Sequence, residues 1–189
     1  MIERILLATG NAGKAAELAR LLGCPVLPIA QWEPPVEDGD TFLANARIKA
    51  LAGAAQAPGE WVVADDSGIE VDALDGAPGV RSARYGGDGL DDVGRTAALL
   101  QAVSSADDRA ARFRCVLVAI GPDGQELHAD GTLEGSLAHE PRGANGFGYD
   151  PVLIPTGETR TCGELTADAQ NAISHRGAAA RALRDTLGL

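Results

Sequence analysis

Short apolar runs alternate along the chain with stretches of helical spacing, and turn residues separate them. Arg4–Ala8 predicts a first strand. Ala15, Leu18, Ala19 and Leu22 share one helical face, and Gly23 follows as a C-cap. Pro25–Ile29 predicts a second strand. Asp40 is placed to cap a helix from Thr41 to about Gln56, before Pro58-Gly59. In it Leu43, Ala46 and Ala50 lie on one face, and Thr41, Asn45 and Lys49 on another. Trp61–Ala64 reads as a buried strand that ends in Asp65-Asp66-Ser67-Gly68, followed by a half-exposed strand over Ile69, Val71 and Ala73. Asp91–Val103 is helical in pattern. Arg112–Ile120 and Glu126–Leu133 predict two strands joined by Gly121-Pro122-Asp123-Gly124, with a further strand over Glu134–Ala138. Glu164–Asn171 reads as a short helix or turn, and Ser174 as the N-cap of a final helix.

At 189 residues the chain suits one domain with a sizeable core, or two small lobes. A formal net charge of −11 changes the picture of its partners: it disfavours nucleic acid and anionic membrane. An anionic small substrate then needs a divalent cation or a local cluster of Lys and Arg. Cys24, Cys115 and Cys162 are widely spaced, which argues against a disulfide framework or zinc site and fits a reducing, cytoplasmic setting. Cys115 reads as a small core residue. The N-terminus lacks a signal-peptide apolar region of usual length, and no stretch reaches membrane-spanning length.

The candidate chemistry centres on Asp65 and Asp66. Neighbouring strand residues point to opposite faces, so the two carboxylates should do different jobs. One can face a cleft to hold a metal or activate water, and the other can brace the turn through backbone N–H groups. Taken alone, Asp-Asp-Ser-Gly is more often a polar turn. Thr9-Gly10-Asn11-Ala12-Gly13-Lys14 joins a strand to a helix, where backbone N–H groups can meet phosphate. It is neither a P-loop nor a dinucleotide fingerprint. The Thr41-Asn45-Lys49 stripe is ordinarily a solvated face, but Glu37 one turn upstream permits an acid for metal and a lysine for phosphate. In Arg142–Asp150, glycines surround Phe147 and Tyr149, two planar faces for a base in a chain poor in aromatics. His175 and Arg176 place cationic donors at a positive helix end, where an anion is the natural resolution.

Together, in this order, these segments resemble the inosine/xanthosine triphosphate pyrophosphatases. The carriers are Thr9–Lys14, Glu37, Thr41-Phe42, Asn45-Ala46, Ala64–Gly68, Pro78-Gly79-Val80, Ser82–Tyr85, Gly146–Pro151 and Ser174-His175-Arg176. The resemblance covers nearly the whole chain. It implies an α/β (mixed α+β) fold, an elongated central mixed sheet flanked by helices in two lobes of one domain, with an active-site cleft between them. It implies Mg²⁺-dependent hydrolysis of noncanonical purine nucleoside triphosphates (ITP, dITP, XTP) to monophosphate and pyrophosphate, by a homodimer. The related septum-inhibitor-like nucleotide pyrophosphatases and a non-catalytic nucleotide sensor are the alternatives.

Carried over residue by residue, Thr9, Gly10, Asn11, Ala12, Gly13 and Lys14 should cradle the triphosphate. Glu37 and Asp66 should hold Mg²⁺, Asp66 should act as general base, and Lys49 should stabilise charge near phosphorus. Ser67 should contact substrate. Phe147, Gly148, Tyr149 and Asp150 should form part of the nucleoside pocket, with Phe147 stacking on the base. His175 and Arg176 should meet the base end or sugar-phosphate region. The resemblance also implies a lysine where Gln170 stands. Glutamine donates to a 6-oxo group but also accepts from a 6-amino group, so weaker discrimination against ATP is expected.

Overall fold

Asn11 starts the first helix for a local reason. Its backbone is extended, and its side chain accepts the N–H groups of Gly13 and Lys14 at 2.9 and 3.2 Å. Helix α1, Ala12–Leu22, then buries Ala15, Leu18 and Leu22 and ends at Gly23, whose φ is 75°. In this computed structural model, which describes residues 2–87 and 89–189, α1 follows strand β1, Ile5–Leu7. Strand β2, Val26–Pro28, lies parallel to β1, with Ile5 opposite Val26.

Helix α2, Phe42–Gln56, is capped by the Thr41 hydroxyl, which accepts the Ala44 N–H at 3.1 Å. The cap falls one residue after the expected Asp40. The predicted solvated stripe is also corrected, since Asn45 is buried. Gly53, in the same row as Asn45 and Lys49, seats the helix: a Cβ there would lie 2.8 Å from Val62 Cγ1 and 3.1 Å from Ala8 Cβ.

Strand β3, Val62–Val71, overturns the expected break at Asp-Asp-Ser-Gly. The strand runs through all four residues, with β1 on one side, where Leu6 pairs with Val62 in parallel, and β4, Ala110–Ile120, on the other. Pairing with β1 covers only Val62 and Val63, so Asp65–Gly68 stay extended against their own turn preference as the continuation of that strand, whose other edge meets β4. Helix α3 is Asp92–Ala102, capped by Asp91. Strand β4 is Ala110–Ile120, and β5 is Glu126–Leu137, one strand where two were expected. Strand β6, Leu153–Pro155, is additional to the strands the sequence pattern predicts and pairs antiparallel with β5. Helices α4, Ala167–Ile173, and α5, His175–Leu187, close the chain. The sheet order is β2-β1-β3-β4-β5-β6 and the sheet is mixed.

The chain divides into two units. The first holds Met1–Asp66, Cys115–Gly131 and Arg176–Leu189. Its core packs Ile5, Leu7, Leu18, Leu22, Leu117 and Leu183, with Cys115 among them as the sequence predicted. Each such leucine contributes about 1.5–3 kcal/mol relative to exposure. The second holds Ser67–Arg114 and Thr132–His175, around Ile69, Val71, Leu99, Phe113, Leu153 and Tyr149. All three cysteines are free. Among the described residues, no helix is long and apolar enough to cross a membrane.

Candidate active site

The pleat of β3 sends its two adjacent carboxylates to opposite faces, and each gathers its own cations. Asp65 is buried. It takes the Lys14 ammonium at 3.0 and 3.2 Å, and the Arg176 guanidinium lies 3.6 Å away. Arg176 in turn pairs with Glu17 at 3.3 Å, a residue of α1 one turn beyond Lys14. Burial alone would raise the Asp65 pKa; the charges of Lys14 and Arg176 outweigh it and hold it at about 2. Asp65 therefore binds cations rather than bracing a turn through backbone N–H groups.

On the other side, Lys49 from α2 lies 3.3 Å from Asp66 Oδ1 and 2.7 Å from Glu37 Oε2. Burial pushes the Asp66 pKa up, and the Lys49 charge only partly offsets it. Burial lowers the Lys49 pKa, but Asp66, Glu37 and Asp65 reverse that and leave it raised. The loop that carries Glu37 is pinned by the buried Asn45 side chain, which accepts the Gly39 N–H at 2.8 Å. Helical spacing groups Asn45 with Lys49, but it gives no sign that Asn45 anchors this loop.

Two carboxylates converging on one ammonium mark a place where a cation is wanted. Asp66 Oδ2 is buried and has no hydrogen-bond partner among the described residues. A hard divalent ion takes a few carboxylates plus phosphate and water oxygens, so Glu37 and Asp66 fit Mg²⁺. Among the described residues there is no group of three or more His, Cys, Asp or Glu side chains that could hold a metal by itself.

The Thr9–Lys14 loop is capped internally: Thr9 Oγ1 accepts the Asn11 N–H at 3.1 Å, and Asn11 takes those of Gly13 and Lys14. Lys14 supplies the loop's positive charge. Ser67 follows Asp66 on β3 and is half-buried, as is Gln170 on α4.

In the second unit, Phe147 and Tyr149 part company. Tyr149 is 6% exposed and donates its hydroxyl to the Ser82 carbonyl at 2.8 Å, so it is core rather than a free planar face. Phe147 is 65% exposed. The buried Asp150 accepts the Phe147 N–H at 2.8 Å. Gly146, at φ 77°, lets that carboxylate in, because a Cβ there would sit 2.0 Å from Asp150 Oδ2. A cavity of about 220 Å³ is lined by Phe147, Gly148 and Asn145, together with Asp92, Val93 and Thr96 of α3. No role for the α3 residues is legible in the sequence; an acid in the first turn of a helix is their only signal. His175 packs its ring on Phe113, centroids 5.0 Å apart. The anion beside Arg176 is the protein's own, supplied by Glu17 and Asp65.

Comparison with known proteins bears on this geometry. A sequence model of the Ham1 family matches residues 5–186. A protein of Streptomyces coelicolor named dITP/XTP pyrophosphatase is 48% identical, over 98% of this chain and 99% of its own. One of the same name from Shigella flexneri is 45% identical, over 98% of each. The solved Ham1 protein of Coxiella burnetii superposes with a TM-score of 0.90 at 41% identity, over 100% of this chain and 99% of its own.

Proposed function

Because the chain belongs to the Ham1 family, we propose that it hydrolyses noncanonical purine nucleoside triphosphates such as dITP, ITP and XTP. Water adds to phosphorus, the α–β anhydride bond breaks, and the nucleoside monophosphate and pyrophosphate leave. The observation that carries this reading is the pair of opposed carboxylates on β3, each with its own lysine. Phosphoryl transfer asks mainly for positioning and charge stabilisation, which this arrangement supplies.

Asp66 takes the proton of the attacking water. Burial raises its proton affinity, which suits a general base. Lys49 meets the negative charge that grows on the phosphoryl oxygens. Lys14, oriented by Asp65, binds the triphosphate at the start of α1. Glu37 and Asp66 would hold Mg²⁺, which neutralises phosphate charge that a protein of net charge −11 would otherwise repel. Phe147 stacks on the base, Gln170 reads its 6-position, and Ser67, Asp150, His175 and Arg176 contribute contacts or support. Assembly as a homodimer and residence in the cytoplasm belong to the same reading.

The test is pyrophosphate release with Mg²⁺ from dITP, XTP, GTP and ATP in parallel. Monophosphate and pyrophosphate from dITP and XTP, with less from ATP, are expected. Comparable ATP turnover that falls in Gln170→Lys assigns the loss of discrimination to Gln170. Orthophosphate as product, or no product, overturns the reading.

A further inference from the structure

An exposed aromatic ring is a useful platform only if its backbone does not move. The backbone around Phe147 is held at four successive groups. The Phe147 N–H goes to Asp150 Oδ2 at 2.8 Å, and its carbonyl accepts the Asp150 N–H at 3.2 Å. The next residue is gripped from α3. Gly148 donates its N–H to Asp92 Oδ2 at 2.8 Å, and its carbonyl accepts the Thr96 hydroxyl at 3.3 Å. Asp92 and Thr96 are four apart, so they stand one above the other on the helix and face the loop together.

The grip itself is braced. Arg95 holds the other Asp92 oxygen at 2.5 Å and also donates to the Leu90 carbonyl. Asp91 caps the helix by accepting the Gly94 N–H at 2.8 Å. Thr96 is buried, whereas Val93 on the same turn is 76% exposed and lines the cavity beside Phe147. A buried hydroxyl in an apolar helix row costs desolvation unless it is used, and here it is used on a glycine carbonyl.

We infer that Asp92 and Thr96 are positioning residues that clamp the two peptide groups flanking Gly148 and so fix the Phe147 ring for the purine base. The inference rests on the proposed base-stacking role of Phe147. The clamp acts on affinity: it removes the ordering that substrate would otherwise have to impose on the loop. It leaves the charged groups of the first unit untouched.

The experiment measures kcat and KM for dITP in wild type, Thr96→Val, Thr96→Ser, Phe147→Ala and the double variant Phe147→Ala/Thr96→Val. Losing one such hydrogen bond should raise KM about five- to tenfold in Thr96→Val, with kcat within about twofold. Thr96→Ser, which keeps the hydroxyl, should restore wild-type KM. In the Phe147→Ala background, Thr96→Val should add nothing, because the ring it positions is gone. A wild-type KM in Thr96→Val, a Thr96→Ser as impaired as Thr96→Val, or an undiminished effect in the double variant would each overturn the clamp.

Amide exchange separates this from failure of the base reading. Asp92→Ala should speed exchange of the Gly148 amide about tenfold while the core amides of β3 stay protected. Unchanged Gly148 exchange overturns the clamp. Faster exchange together with an unaltered KM in Phe147→Ala keeps the clamp as a loop anchor and removes Phe147 as the base platform, which overturns the positioning role.

Discussion

Asp65 and Phe147 are both held firmly, by opposite means. Asp65 is buried and charged, and its place is set by two cations. Phe147 is exposed and neutral, and its place is set by hydrogen bonds to the peptide groups around it. Charge can fix charge in the first unit because burial strengthens the attraction. For the exposed ring in the second unit, hydrogen bonds on its backbone do the holding. On the proposed function, the contrast assigns the chemistry to the region where charge is concentrated and base recognition to the region where a surface is presented.

Substitutions that separate kcat from KM put this contrast at risk. The largest effect is expected for Asp66→Asn, which should lower kcat about 10³-fold while nucleotide binding by calorimetry persists. Near-normal turnover would remove Asp66 as base. Lys49→Ala should lower kcat about 10²-fold and raise KM less, since its charge matters most as phosphorus is attacked. A change in KM alone would make Lys49 a ground-state anchor and blur the contrast.

The smallest effect is a pH dependence in the second unit. The Arg95 guanidinium, and then the Gly148 N–H, hold the Asp92 carboxyl below the usual carboxylate range. A depressed pKa in the folded state means that Asp92 stabilises fully above its unfolded value, about 3.9, and stops as pH falls through the folded one. The side chain is nearly half exposed, so the contribution is screened and small. The Tm of wild type should exceed that of Asp92→Asn near neutrality, and the difference should close below about pH 4. A constant difference down to about pH 2 would detach Asp92's ionisation from the loop.

The sequence was most legible where structure is local. The end of α1 at Gly23, the start of α3 at Asp91 and the Gly121–Gly124 turn are each set by neighbours in the chain, and each is legible in place. It was least legible where a partner comes from far away. Asp-Asp-Ser-Gly looks like a turn because its own residues favour one. Lys14, which pairs with Asp65, lies 51 residues off, and nothing local predicts a continuous interior strand. Arg176 looks like an open donor because Glu17, its counter-charge, is 159 residues away. Phe147 and Tyr149 read alike, since what divides them is the Ser82 carbonyl that draws the Tyr149 hydroxyl inward. Strand β6 escapes notice because its short apolar run lies between Pro151 and Pro155, which read as breakers.

Gly53 carries a consequence for how this protein can change over time. In a helix interior glycine is the weakest choice but proline, and alanine improves on it by about 1 kcal/mol in an open helix. Here that improvement is out of reach: the space a methyl would take already belongs to Val62, Ile29 and Ala8. The same turn-to-turn row carries Lys49 toward Glu37 and Asp66. Lifting the helix by one methyl would draw that ammonium off its carboxylates. The helix therefore keeps its least helical residue because closeness there, rather than rigidity, sets the reach of Lys49.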